Sequence, residues 1–189
     1  MASTDNVSVL MEKKDYAELK EFIRKVKLDE LKTEYFAAII ETGALLVKQE
    51  PFDLKSGGKS RVYLNHNHFL SKYEYLRLLA SIYLKLIEGK TQNYKLSSVD
   101  SVISPVIVGV MSGLSGKDVV VFKEKITEHG TKEDVYGQAS GEVVLVDDLT
   151  TTGNSLLNAA RKIRQKGGTV NYAVVSVCRN EKARERLAK

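Results

Sequence analysis

Residues 142–155 set the terms for the rest of the chain. Glu142 is followed by an unbroken aliphatic run, Val143-Val144-Leu145-Val146, and then by two carboxylates, Asp147-Asp148. Leu149-Thr150-Thr151-Thr152-Gly153-Asn154-Ser155 comes next. A continuous β-branched and aliphatic run predicts a strand buried on both faces, as in a parallel sheet. From Ser155 to Arg164 the spacing turns helical, with Leu156, Ala160 and Ile163 on one stripe, and Gly167-Gly168 ends it. The order is strand, acidic tip, small-residue loop, helix. It is not a P-loop, which needs a Gly-Lys-Ser/Thr end, nor the dinucleotide fingerprint, because no G-x-G-x-x-G occurs.

Each part of this order has a chemical use. Loop N–H groups and a helix N-terminus attract an anion, most naturally a phosphate. Gly153 lets the backbone come close, and the Thr151, Thr152 and Ser155 hydroxyls add donors. Asp147 and Asp148 would repel a phosphate. They suit sugar hydroxyls, or a Mg²⁺ carried in with the ligand. A ligand with both a phosphate and a diol is a ribose 5-phosphate. The plainer alternative is an ordinary strand–loop–helix turn with an acidic tip.

The chain has 189 residues, enough for one domain with a core and a small subdomain. Its one cysteine, Cys178, rules out a disulfide framework and points to a reducing, cytoplasmic compartment. A buried structural thiol is expected there. No apolar run nears the ~20 residues of a membrane helix, and Met1 to Asn6 lacks the pattern of a signal peptide. The net charge of +5 is spread along the chain with acids interspersed. That gives no nucleic-acid footprint.

Before the central stretch, an amphipathic helix is expected from about Asp15, then a second from about Asp29 to Thr42 with Leu31, Tyr35, Ile39 and Ile40 inward. Gly43 to Lys48 and Phe52 to Asn65 predict two short strands joined at Ser56-Gly57-Gly58. His66 and His68 share one face if the strand continues, but no Cys lies near, so surface histidines are expected. Ser71-Lys72-Tyr73-Glu74 is a capping box for a helix ending near Glu88-Gly89. Lys90 to Ser98 is taken as a polar connection, Val99 to Val108 as a strand broken by Pro105, and Asp118 to Phe122 as another. Lys123 to Gly137 is charged and aperiodic and predicts a loop. A last strand runs from Thr169 to Arg179, and Glu181 starts a charged helix.

The segment Val144 to Ser155 resembles the phosphoribosyl pyrophosphate (PRPP) signature of type I phosphoribosyltransferases. The earlier segment resembles the hood of the orotate phosphoribosyltransferases, in Gly43-Ala44-Leu45, Phe52-x-Leu54-Lys55-Ser56-Gly57-Gly58-Lys59-Ser60 and Asn65. Arg61 stands where that family usually has Pro, and Leu64 where it has a second aromatic. The resemblance implies an α/β fold, a mainly parallel sheet flanked by helices with a small N-terminal hood. It divides the chain into a helical extension (1–28), a hood segment (29–70) and a core (71–189). It implies transfer of ribose 5-phosphate from PRPP to orotate, with Mg²⁺ carried by PRPP and no metal held directly by the protein. Asp147, Asp148, Thr151, Thr152, Gly153, Asn154, Ser155 and Lys55 would bind PRPP. Lys55, Tyr63, Thr151 and Arg179 would bind orotate, Arg179 through its carboxylate. Lys123, Lys125 and His129, in a loop shared across a homodimer, would join Asp147 and Asp148 in catalysis. Two departures stand out. Cys178 replaces an Asp before Arg179. Gly109 and Gly113 resemble the pyrophosphate loop, but that loop's lysine is missing. Leu114 to Lys117 is also too short for the helix that should follow, since a parallel crossover needs a dozen or more residues. The rival reading is therefore a non-catalytic PRPP- or nucleotide-binding regulator. Transfer to a purine is a third.

Overall fold

The computed structural model describes residues 27–53, 58–122 and 134–188. Within them, five strands form the central sheet: β3 (Tyr94–Ser98), β4 (Val119–Phe122), β5 (Val135–Tyr136), β6 (Gly141–Val146) and β8 (Gly168–Val174). Their spatial order is β5-β4-β3-β6-β8, parallel throughout except for the β4–β5 pair. The predicted mainly parallel sheet is present. The aliphatic run is β6, and Val143 to Val146 are each 1% exposed or less.

That burial arises because β6 feeds two cores. Val144 and Val146 face α1 (Leu28–Glu41), α2 (Tyr73–Ile87) and α3 (Ser104–Ser115). Val143 and Leu145 face α4 (Asn154–Gln165) through Leu156, Ala159, Ala160 and Ile163. Alternate residues of one strand thus complete opposite sides of a three-layer molecule. α2 is enclosed by α1, α3 and the sheet, and every residue from Leu76 to Tyr83 is buried. It lacks the expected capping box: Ser71 Oγ donates to His68 O instead, and Lys72 caps the helix through backbone alone.

The hood is an antiparallel hairpin of β1 (Leu45–Asp53) and β2 (Lys59–Leu64). Leu45 pairs with Leu64 and Leu46 with Tyr63, and the register shifts between Val47 and Phe52. Asn65 N–H donates to Ala44 O and closes the hairpin base. Ile40 is not inward: it is 73% exposed, because α1 buries Leu31, Tyr35, Ala38 and Ile39, the stripe one turn-step away. The helix expected from Asp15, Lys55 in the hairpin turn, and the loop residues Lys123, Lys125 and His129 lie outside the described residues.

The largest correction concerns residues 90–117. The strand is Tyr94–Ser98, inside what reads as a polar connection. The supposed strand Val99–Val108 is instead a loop followed by α3, with Pro105 in its first turn, where the missing proline N–H costs nothing. Gly109 and Gly113 lie within this helix, not in a phosphate loop. α3 is the crossover that seemed to have no room, joining β3 to β4 as parallel neighbours. The loop after β3 is Val99-Asp100-Ser101-Val102-Ile103, which holds neither glycine nor lysine. Near the far end of the chain the long final strand is two pieces. β8 stops at Val174, and β9 (Val177–Cys178) pairs with β7 (Leu149–Thr150). Cys178 is exposed, not a buried thiol.

Candidate active site

From β3 the chain passes to β4 on one side and, further on, to β6 on the other. At such a switch point the loops after two neighbouring strands diverge and leave a crevice at their carboxyl ends. Ser98 pairs with Val146 at this edge, so the two diverging loops are 99–103 and the Asp147-Asp148 loop.

The two carboxylates have different surroundings. Asp147 is buried, and its Oδ1 accepts from Ser104 Oγ at 2.8 Å and from the Asp148 N–H at 2.9 Å. Ser104 is held by Ser101, whose Oγ donates to it at 2.7 Å. Burial pushes the Asp147 carboxyl up to about 7, the Asp148 charge adds to this, and the Ser104 hydrogen bond opposes it. Asp148 is more open, its side chain 19% exposed, and its Oδ2 lies 3.2 Å from His66 Nδ1. Burial works against its charge. The hydrogen bond and electrostatic attraction from His66 outweigh that and hold the carboxyl below the usual range. Asp148 is therefore the carboxylate ready to meet a ligand hydroxyl. Beneath the pair, the Tyr83 hydroxyl, fully buried, donates to Asp147 O at 2.9 Å.

The threonine- and glycine-rich loop leads from β7 into α4. Gly153 caps α4 at φ +79°, which a side chain would strain, and its N–H donates to Thr150 Oγ1. Gly153 gives the helix no side-chain cap, and the first-turn N–H groups, those of Ser155 and Leu156 among them, have no intrahelical acceptor. They are free to meet an anion. Asn154 and Ser155 are exposed, and Thr151 and Thr152 are half-buried at the rim. α5 (Glu181–Leu187) leans on this loop. Arg186 donates to Thr152 O at 3.0 Å and to Asn154 Oδ1 at 3.1 Å.

Arg179 joins this loop to the hood. Its N–H donates to Thr150 O at 2.9 Å. Its guanidinium lies 5.7 Å above the Tyr63 ring, and Nη2 reaches Leu64 O at 3.5 Å. Tyr63 also packs on Phe52, with centroids 5.3 Å apart. Two residues assigned to one base, 116 positions apart by number, do meet. Sequence reasoning missed His66, Ser104, Tyr83, Ser176 and Arg186. Ser104 alone carried a local signal, as a serine just before the helix-opening Pro105.

No protein-family model matches the chain. Curated proteins do. An orotate phosphoribosyltransferase of Methanocaldococcus jannaschii is 34% identical over 140 residues, covering 73% of this chain and 78% of that protein. One of Methanopyrus kandleri is 35% identical over 151 residues, covering 79% of each. The chain belongs to the orotate phosphoribosyltransferase family. Its fold agrees with that of a crystallised family member from Aeropyrum pernix at a TM-score of 0.70 and 27% identity, covering 80% of this chain and 85% of that one. Membership makes this a phosphoribosyltransferase fold with a matching enzyme class. Among the described residues, no helix is long and apolar enough to cross a membrane.

Proposed function

We propose that the chain transfers ribose 5-phosphate from PRPP to N1 of orotate, giving orotidine 5′-monophosphate and pyrophosphate. The observation that carries this reading is Arg179. Its backbone is tied to the phosphate loop at Thr150 while its guanidinium stands over Tyr63 of the hood. A planar guanidinium beside an aromatic face suits a flat ring bearing a carboxylate. In this reading the N–H groups and hydroxyls from Thr151 to Ser155 hold the 5-phosphate. The Asp148 carboxylate takes the ribose hydroxyls and steadies positive charge on the ribose as the C1–O bond to pyrophosphate breaks. Asp147 supports that position from below. Tyr63, Thr151 and Arg179 place N1 of orotate opposite the leaving group, so most of the acceleration comes from positioning. By resemblance alone, Lys55 and the loop residues Lys123, Lys125 and His129 are assigned to pyrophosphate.

Among the described residues, no three His, Cys, Asp or Glu side chains gather to hold a metal ion. In this proposal Mg²⁺ comes with PRPP, since it binds through phosphate oxygens, water and one or two carboxylates. Bound with PRPP it would spread the charge of the leaving pyrophosphate. The regulator reading rested on a missing crossover helix and a missing loop lysine; α3 supplies the helix, and the 99–103 loop still lacks the lysine.

The test is an assay with PRPP, Mg²⁺ and orotate, following the fall in orotate absorbance. Turnover with orotate and little with uracil is expected, because losing a desolvated carboxylate–Arg pair costs on the order of 2–5 kcal/mol. No turnover, or equal use of uracil, overturns the reading. A homodimer whose loop supplies Lys123, Lys125 or His129 across the interface is part of the same proposal. Mixing inactive Asp148→Ala protein with a variant altered at Lys123, Lys125 and His129 should then restore part of the activity. No recovery after subunit exchange would mean that each site is built within one chain.

A further inference from the structure

His66 is a fully enclosed polar side chain that the function above leaves without a task. It is 0% exposed, and both ring nitrogens are engaged. Nδ1 faces Asp148 Oδ2 at 3.2 Å. Nε2 faces the Tyr35 hydroxyl at 2.5 Å and Ser176 Oγ at 3.2 Å. The ring is stacked on Tyr35, at 14° between planes, and meets the edge of Phe69. An apolar side chain of the same shape would serve packing equally well. Burying an imidazole is worthwhile only if its hydrogen bonds are used.

The directions of those bonds follow from the partners. An ionised Asp148 only accepts, so Nδ1 must carry a hydrogen whatever the charge on the ring. Ser176 spends its own hydrogen on Asp148 O, at 2.6 Å, so it cannot also donate to Nε2. When the ring is neutral, the donor to Nε2 is Tyr35. Burial, chiefly, pushes the Tyr35 hydroxyl up to about 12, so it keeps the proton it donates. The chain of bonds runs from α1 (Tyr35), through the turn after the hood (His66), to the tip of β6 (Asp148), and Ser176 from the β8–β9 turn closes the ring. Asp148 is thus gripped by side chain and carbonyl at once.

We propose that His66 is the positioning residue for Asp148: its Nδ1–H fixes the orientation of the carboxylate that receives the ribose. The same residue ties the two halves of the site together. It lies three positions after Tyr63, and the end of β2 just before it is pinned at Leu64 O by Arg179. This inference rests on the proposed PRPP reaction for its second half only. The pairing itself does not depend on it.

Two measurements decide it. The first is nitrogen NMR of the His66 ring in the ligand-free protein. A hydrogen on Nδ1 is expected, and Asp148→Ala should shift the ring away from that form. A ring already bearing its hydrogen only on Nε2, or one indifferent to Asp148→Ala, overturns the pairing. The second is PRPP affinity and kinetics in a double-mutant cycle. His66→Ala should weaken PRPP binding roughly tenfold or more, the usual cost of a lost charge-assisted hydrogen bond. His66→Asn, whose amide N–H can stand near Nδ1, should recover much of it. In an Asp148→Ala background, His66→Ala should change PRPP binding little further. Equal losses for Ala and Asn, or losses that add fully to that of Asp148→Ala, would mean His66 acts through general packing and overturn the proposal. Wild-type protein that binds no PRPP would overturn the proposed function and the ribose role. The NMR arm would still decide whether His66 holds Asp148.

Discussion

Two strand–loop–helix units meet at the crevice, and they are opposites in construction. β6 is aliphatic from Val143 to Val146, and its loop is acidic and then rich in threonine and glycine. Its helix α4 is polar on one side and apolar on the other. β3 is Tyr94-Lys95-Leu96-Ser97-Ser98, with a single aliphatic residue, and its helix α3 is aliphatic nearly all round. The first unit leaves its first-turn N–H groups without a side-chain cap and keeps one helix face in water. The second is a support. α3 is wedged between α2 and the sheet, burying Ile107, Val108, Met111 and Leu114, and it sends Ser104 to hold Asp147. The site is thus made by one loop that binds and another that braces.

Substitutions can press on this contrast. The largest effect is expected at Gly153. Its φ of +79° excludes a β-branched residue, and an added Cβ would lie 3.1 Å from Leu187 Cγ. Gly153→Val should cost about 2–3 kcal/mol by denaturant unfolding and should also weaken PRPP binding. Near-wild-type stability and affinity would show that the loop tolerates another shape.

Next comes Asp147→Asn. The folded carboxyl, pushed up to about 7, binds a proton that the unfolded chain has already released. Wild-type stability should therefore fall as pH rises from about 4 through 7. Asn keeps the oxygen that accepts from Ser104 and from the Asp148 N–H, and it has no charge to bury. Relative to wild type it should gain on the order of 1–2 kcal/mol between pH 5 and pH 8. A stability difference constant with pH would remove Asp147 as the group that titrates.

The smallest effect has the opposite sign to the first. Gly109 lies mid-helix in α3, and an added Cβ meets nothing within 4 Å. Gly109→Ala should stabilise the protein by about 0.5–1 kcal/mol and leave PRPP affinity unchanged. Lost affinity would return Gly109 to the ligand site that its sequence suggested.

The same contrast explains what could be read from the chain beforehand. β6, its acidic tip and α4 were legible because local pattern and tertiary role coincide there: a strand buried on both faces has no polar position to blur it. The hairpin was legible from its glycine turn and flanking strands, and Tyr63 and Arg179 from resemblance. β3 was hidden because its burial is carried by serines, with Ser97 and Ser98 both enclosed at the tip where the crevice opens. α3 was hidden because its exposed face carries Val106, Gly109 and Gly113 in place of charged residues, so its buried stripe of Ile107, Val108, Met111 and Leu114 leaves no amphipathic period in the sequence, and Val106 to Val110 then looks like a strand. Pro105 should have been given more weight as a helix opener than as a strand breaker. His66 could not have been found locally at all. Its partners Tyr35, Asp148 and Ser176 come from three other segments, and Asp148 is 82 positions away. Only the fold makes them neighbours.

The contact of α5 with the phosphate loop has a practical side. Leu187 fills the space over Gly153, and Arg186 ties down Thr152 and Asn154. α5 thus supports the proposed phosphate site, although Arg186 is 34 positions from Thr152. A recombinant protein trimmed after Asn180, or a fusion partner joined rigidly to α5, would loosen the loop proposed to hold phosphate. The defect would resemble a poor substrate more than a poor fold. An affinity tag on this molecule therefore belongs at the other terminus.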